Sequence, residues 1–202
     1  MRWRILKKTR RPCPRPRLYL CPNMEIVLYP HPILRKRALS LGAVDETVRM
    51  RAREMFEIMY AEKGVGLAAP QVGWSVRLFV VNTTGEPDPA AERVYVNPEL
   101  SLPPGPVEED SDEEGCLSIP GVRGKVTRHK RLVVRALNLE GIAIEEDVSD
   151  LHARVVQHEL DHLDGILFIT RLSASDRILA GKVLKKLEKE YKERKQIARR
   201  KR

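Results

Sequence analysis

Two histidines four residues apart, with a glutamate directly after the first, constrain this chain more than any other feature. They lie in Gln157-His158-Glu159-Leu160-Asp161-His162-Leu163-Asp164-Gly165. On an α-helix, positions i and i+4 share a face, so both imidazoles can reach one metal ion. Glu159 is about 100° round the helix from His158 and can touch a metal-bound water rather than the metal. This is the layout of a metal-dependent hydrolase: two ligands, a general base and a position left open for water. The same pattern also arises by chance on a solvated helix. The surroundings favour a buried helix: Leu151, Val155 and Val156 precede the pair at helical spacing, which points that face inward. Ser149 or Asp150 can cap the start, and Gly165 suits the stop. Buried imidazoles and a buried carboxylate need partners, and a metal satisfies all three. Two histidines do not complete a zinc-type site, so a third ligand must come from elsewhere in the chain.

Cys116 is the candidate. Of the three cysteines, at positions 13, 21 and 116, it alone lies in the part of the chain that reads as folded. A free buried cysteine is common in cores, yet a Gly-Cys turn beside the helix would complete a Cys-His-His set. An odd, sparse cysteine set argues against a disulfide framework and for a reducing compartment.

The net charge of +9 is unevenly placed. Residues 1–20 and 182–202 carry +8 each, which leaves about −7 on the segment between them. The basic character therefore belongs to the ends, as solubilising tails or as electrostatic handles for nucleic acid. No apolar run is long enough to cross a membrane, and the N-terminus lacks the apolar middle of a secretory signal. Residues 1–23 are rich in Arg and Pro and show no period, so we expect a disordered extension or a segment upstream of a true initiator at Met24. The absence of serine from 1–23 argues against a transit peptide. The expected division is 1–23 basic extension, 24–181 catalytic domain and 182–202 basic helical tail.

Asp45 to about Glu62 reads as an amphipathic helix, with Val48, Ala52, Met55, Phe56 and Met59 on one stripe. His31 reads as a loop residue. Gly64-Val65-Gly66-Leu67-Ala68-Ala69-Pro70-Gln71-Val72-Gly73 lets a backbone come close to something; no Lys-Ser/Thr follows, so it is not a phosphate loop. It is either a tight connection or a substrate-lining segment in which Gln71 donates to an oxyanion. Strands are expected at Val76–Val81, at Val94–Val96 (ended by Asn97-Pro98), and in a hairpin of Leu132–Leu139 and Ile142–Val148 turned at Glu140-Gly141. Residues 103–114 read as an acidic, mostly solvated loop. From Ser175 onward one long helix is expected, with Ile178, Leu179, Val183, Leu184 and Leu187 as its packing side.

Three segments in order, Gly64-Val65-Gly66-Leu67-Ala68-Ala69-Pro70-Gln71, Glu114-Gly115-Cys116-Leu117-Ser118 and Gln157-His158-Glu159-Leu160-Asp161-His162, resemble the signature motifs of peptide deformylases. The similarity runs from about Met24 to Leu172. It implies an α+β fold in which antiparallel strands pack around a central metal-bearing helix, with an N-terminal and a C-terminal helix. It implies removal of the formyl group from the N-terminal formyl-methionine of new polypeptides, with release of formate. Cys116, His158 and His162 would bind the metal. Fe(II) would be the physiological ion, and Zn(II), Ni(II) or Co(II) could fill the site in purified protein. Glu159 would act as base towards the metal-bound water and then as acid towards the leaving amine. Gln71 and the Leu117 N–H would hold the oxyanion, while Val65, Gly66 and Arg123 would contact the peptide. The implied partners are formyl-methionyl nascent peptides and, through the basic tail, the ribosome, with neither membrane nor DNA. The implied location is a bacterial cytoplasm, an organelle being the alternative. Three rivals make different demands. A zinc endopeptidase would take its third ligand from downstream. A cysteine hydrolase using Cys116 would survive a chelator. A non-enzymatic RNA-binding protein would need no metal.

Overall fold

The computed structural model describes residues 24–200, so the 1–23 extension lies outside the described residues. The first long element is helix α1 (Glu46–Ala61). Asp45 caps it by accepting the Val48 N–H at 2.9 Å, as short polar caps do. The expected stripe of Val48, Ala52, Met55, Phe56 and Met59 is buried. The chain then runs into strands β1 (Gly66–Ala68), β2 (Leu78–Val81) and β3 (Arg93–Ser101). Next come β4 (Glu109–Gly115) and β5 (Arg123–His129), then β6 (Arg131–Leu137) and β7 (Ala143–Ser149). Helix α2 (Asp150–Leu163) carries His158 and His162, and α3 (Ala174–Arg200) ends the described chain.

Among the described residues, five strands form one antiparallel sheet in the order β1-β2-β3-β6-β7, while β4 and β5 pair only with each other. Strand β2 explains the layering. Its Leu78 and Val80 pack with the α1 stripe, and its Phe79 and Val81 pack with Val155 and Val156 of α2. A strand covered on both faces reads as an unbroken apolar run, as Leu78-Phe79-Val80-Val81 does. Helix α2 also touches β5, so it lies between the sheet and the separate hairpin. A further cluster under α3 joins Leu34, Ile119, Val126, Phe168, Leu172 and Leu187.

The fold class is as expected, with corrections in detail. Strand β3 does not stop at Asn97-Pro98. Its pairing with β6 shifts register between Val96 and Glu99, and Asn97 there takes φ 51°. A bulge accommodates the proline that cannot donate to the ladder. The Asn97 side chain secures the bend, accepting from Leu41 N–H and donating to Leu41 O, both at 2.8 Å. Residues 109–115 are a strand rather than a solvated loop. Leu151 is half exposed, because the first turn of α2 borders a cleft instead of the core. Along α3 the contact stripe runs through Ala180, Val183, Leu184 and Leu187. Ile178 lies two and a half turns from Leu187, hence on the opposite side, and Leu179 borders the stripe from outside. Both are exposed. The far half of α3 is anchored to the N-terminal segment: Tyr29 Oη donates to Glu188 Oε1 at 2.7 Å, and Tyr191 meets His31 edge to face. His31 itself caps a short turn through Nδ1, as a loop residue.

Candidate metal centre and cleft

Strand β4 ends at Gly115, and Cys116 begins the turn that leads towards β5. That turn faces the histidine side of α2. Ligand atoms of Cys116, His158 and His162 all lie within 4.8 Å of one another. The Cys116 Sγ is 3.2 Å from His162 Nε2. His158 Nδ1 is 3.0 Å from Glu114 Oε2. With the carboxylate accepting there, Nδ1 carries a proton, and Nε2 is the nitrogen on which a cation would take the place of the second proton, the arrangement common to metal-bound histidines. One thiolate and two imidazoles suit a first-row transition ion. The donor set and the buried Glu114 behind it therefore fit a divalent metal.

The electrostatics point the same way. Burial works against a charge on His158, but Cys116, Glu114 and Glu159 outweigh it and raise the imidazole to about 10. The pocket thus draws positive charge to this spot. Burial works against the Glu114 carboxylate too, yet His158 and Arg128 hold it down at about 2. Glu159 is pushed up to about 7, by burial first and by Glu114 in addition, with His158 opposing. His162 is lowered by burial, then by His158 and Arg128.

Glu159 is buried, and its Oε2 has no hydrogen-bond partner among the described residues. It lies against Gly66. A Cβ at position 66 would come within 2.6 Å of both Glu159 Oε1 and Val155 Cγ1. Gln71 is buried, and its Oε1 accepts the Ala68 N–H at 2.8 Å. This fixes the amide so that Nε2 donates towards Cys116 Sγ (3.5 Å) and Ser118 Oγ (3.4 Å).

These groups lie in a cleft of about 680 Å³. Its lining includes Val65, Gly66, Gln71, Cys116, Leu117, Arg123, His158 and Glu159, so eight of the nine sequence-predicted residues share one space. His162, the ninth, is buried beside Cys116. Arg123 is exposed at the rim and paired with Glu113. Strand β1 is an edge strand of the sheet, and Gly66 at its start borders the cleft.

Sequence reasoning missed the support behind the ligands. Glu114 Oε1 and Oε2 accept a two-pronged contact from Arg128 (2.9 and 3.0 Å), and Arg154 Nη1 adds a third bond at 2.9 Å. Asp161 accepts from Arg128 and Arg171. A signal was available: Arg154, His158, Asp161 and His162 share one face of α2, and charged residues on a buried helix face need partners.

The profile of the polypeptide deformylase family matches residues 23–177. The chain is 43% identical to peptide deformylase of Acidobacterium capsulatum over 164 residues, which covers 81% of this chain and 95% of that one. It is 39% identical to peptide deformylase 1B, chloroplastic/mitochondrial, of Arabidopsis thaliana, covering 85% of this chain and 62% of that one. A crystal structure of the Arabidopsis thaliana 1B enzyme superposes with a TM-score of 0.79 at 39% identity, covering 85% of this chain and 93% of that one. That of peptide deformylase from Thermotoga maritima gives 0.68 at 40%, covering 74% and 97%. A match over most of the chain, together with a Cys-His-His cluster where the motifs converge, places it by descent as well as by geometry: the chain belongs to the polypeptide deformylase family.

Proposed function

We propose that this cleft removes the formyl group from the N-terminal formyl-methionine of new polypeptides. One observation carries the reading: a sulfur and two imidazole nitrogens converge beside a buried carboxylate oxygen that has no partner among the described residues. Cys116, His158 and His162 would hold one divalent ion, Fe(II) in the cell, with Zn(II), Ni(II) or Co(II) able to substitute. When bound, such an ion supplies Lewis acidity and a lowered pKa for water. Glu159 then accepts a proton at Oε2 from the water that attacks the formyl carbon. It returns that proton to the amine nitrogen as the C–N bond breaks and formate leaves. The Gln71 amide and the Leu117 N–H stabilise the oxyanion; the fixed orientation of the Gln71 amide supports its part. The peptide backbone aligns with Gly66 on the free edge of β1, as extended peptides do on sheet edges. Val65 borders the methionine side chain, and Arg123 at the rim meets the peptide further on.

Metal-loaded protein is expected to release formate from formyl-Met-Ala-Ser, and a chelator should abolish the release. Release that survives chelation would instead make Cys116 a nucleophile. No release from fully loaded protein would sink the reading.

We place the reaction in a bacterial cytoplasm, with an organelle as the alternative, since the matched relatives include a chloroplastic/mitochondrial one. No helix among the described residues is long and apolar enough to cross a membrane. The basic end of α3 is read as a ribosome handle. Leu187, Glu188 and Tyr191 pack on the body, whereas residues 192–200 are exposed and mostly basic. Deleting 192–202 should abolish pelleting with ribosomes at low salt and leave formate release intact; unchanged pelleting would end this idea.

A further inference from the structure

Behind the candidate ligands a continuous line of charge contacts leads to the base of α3. Arg171 stands between the Phe168–Thr170 turn and α3. Its Nε and Nη2 donate to the two oxygens of Asp161 at 2.6 and 2.5 Å. Asp161 is buried on α2 between the two histidines, and its Oδ2 also accepts from Arg128 Nη1 at 2.7 Å. The other two nitrogens of the Arg128 fork hold Glu114, whose Oε2 meets His158 Nδ1. Side chains of Arg128 and Glu114 are 4% and 5% exposed, so solvent cannot replace a lost partner.

We propose that Arg171 is a positioning residue for His158, acting through Asp161, Arg128 and Glu114. The inference rests on His158 being a metal ligand. The physical reason is competition for one guanidinium. Arg128 serves two buried carboxylates, Asp161 through one nitrogen and Glu114 through two. Arg171 supplies Asp161 with a second, planar partner, so Arg128 can stay square on Glu114. Without Arg171, Asp161 has Arg128 alone among the arginines of the described residues, and an underpaired buried carboxylate draws it away. Glu114 then keeps Arg154 on Oε1 but loses the fork that fixes its plane and holds Oε2, the oxygen that sets the orientation and tautomer of His158. Since Arg171 is itself partly exposed, the segment that leads into α3 has a physical route to the metal centre.

The test uses the full-length protein loaded with Co(II), whose thiolate-to-metal and ligand-field absorption report the geometry without any turnover. Arg171→Ala should release cobalt to a chelator on the order of tenfold faster, the low end of the range for partners of ligating histidines, and shift the ligand-field bands. Arg171→Lys keeps a charge but not the two-pronged contact, so it should fall between; it decides the matter alone if the alanine variant does not fold. In an Asp161→Asn background, Arg171→Ala should add nothing further. Leu172→Ala, at a buried apolar neighbour, controls for loosened packing: its Tm should fall with cobalt release unchanged. Parental cobalt release by the Arg171 variants would overturn the proposal. So would equal acceleration by Leu172→Ala, or an undiminished Arg171 effect without Asp161. A parent that binds no cobalt would remove the metal reading itself.

Discussion

Glu159→Gln is expected to lower the kcat for formate release by about 10²- to 10⁴-fold, the usual worth of a positioned acid–base group. The amide has the shape of the carboxylate but cannot accept the proton of the attacking water. Cys116, His158 and His162 keep their places, so metal content should match that of the parent. KM should change little, because in the proposed reaction Glu159 meets the water rather than the peptide. Steady-state kinetics with metal analysis on the same samples separates the two effects. A variant that retains a tenth of the parental kcat would remove Glu159 from its role, and a variant that loses metal would recast it as a support for the ligands.

Gly66→Ala should damage both stability and rate. The new methyl would sit 2.6 Å from Glu159 Oε1 and 2.6 Å from Val155 Cγ1. Real side chains do not make such contacts, so β1 and α2 must part or Glu159 must turn. Overpacking of this kind costs about 1–3 kcal/mol. A displacement near 1 Å at a reacting group costs on the order of 10²-fold in rate. Urea unfolding and kcat should therefore both move. Gly42→Ala is the control, since nothing among the described residues lies within 4 Å of a Cβ there. Full activity in Gly66→Ala would mean that Glu159 does not work from the position it occupies here.

What could be read from the chain follows from how each side chain meets its surroundings. The α1 stripe was visible because five apolar residues recur at helical spacing and all face one layer. The Cys-His-His cluster was visible as a candidate because His158 and His162 are one turn apart and Cys116 stands alone in the body. Strand β5 was hidden, although Gly124, Val126 and Arg128 point inward in strict alternation. One of the three is glycine and another is an arginine neutralised by Glu114 and Asp161, so the period carries no hydrophobic signal. Strand β4 was hidden for the same reason: Glu114 is its buried residue, and its other side chains are largely solvated acids. Pro98 looked like a terminus because the bulge that admits it depends on Leu41, 56 residues away from Asn97. Partners distant in sequence decide these cases, and a local pattern holds no trace of them.

The separation of the β4–β5 hairpin from the five-stranded sheet has a thermodynamic consequence. Cys116 belongs to the hairpin, and the two histidines belong to the helix that carries the sheet. A cation held by all three is therefore a cross-link between two parts of the fold that share no backbone ladder. An unfolded chain does not hold these ligands together, so affinity for the ion returns as resistance to unfolding. At a free ion concentration one hundred times Kd, that linkage is worth about 2.7 kcal/mol. The ion that serves the chemistry would then also act as a fastener, added to the Arg128–Asp161 and Arg154–Glu114 pairs that already cross the seam between hairpin and helix.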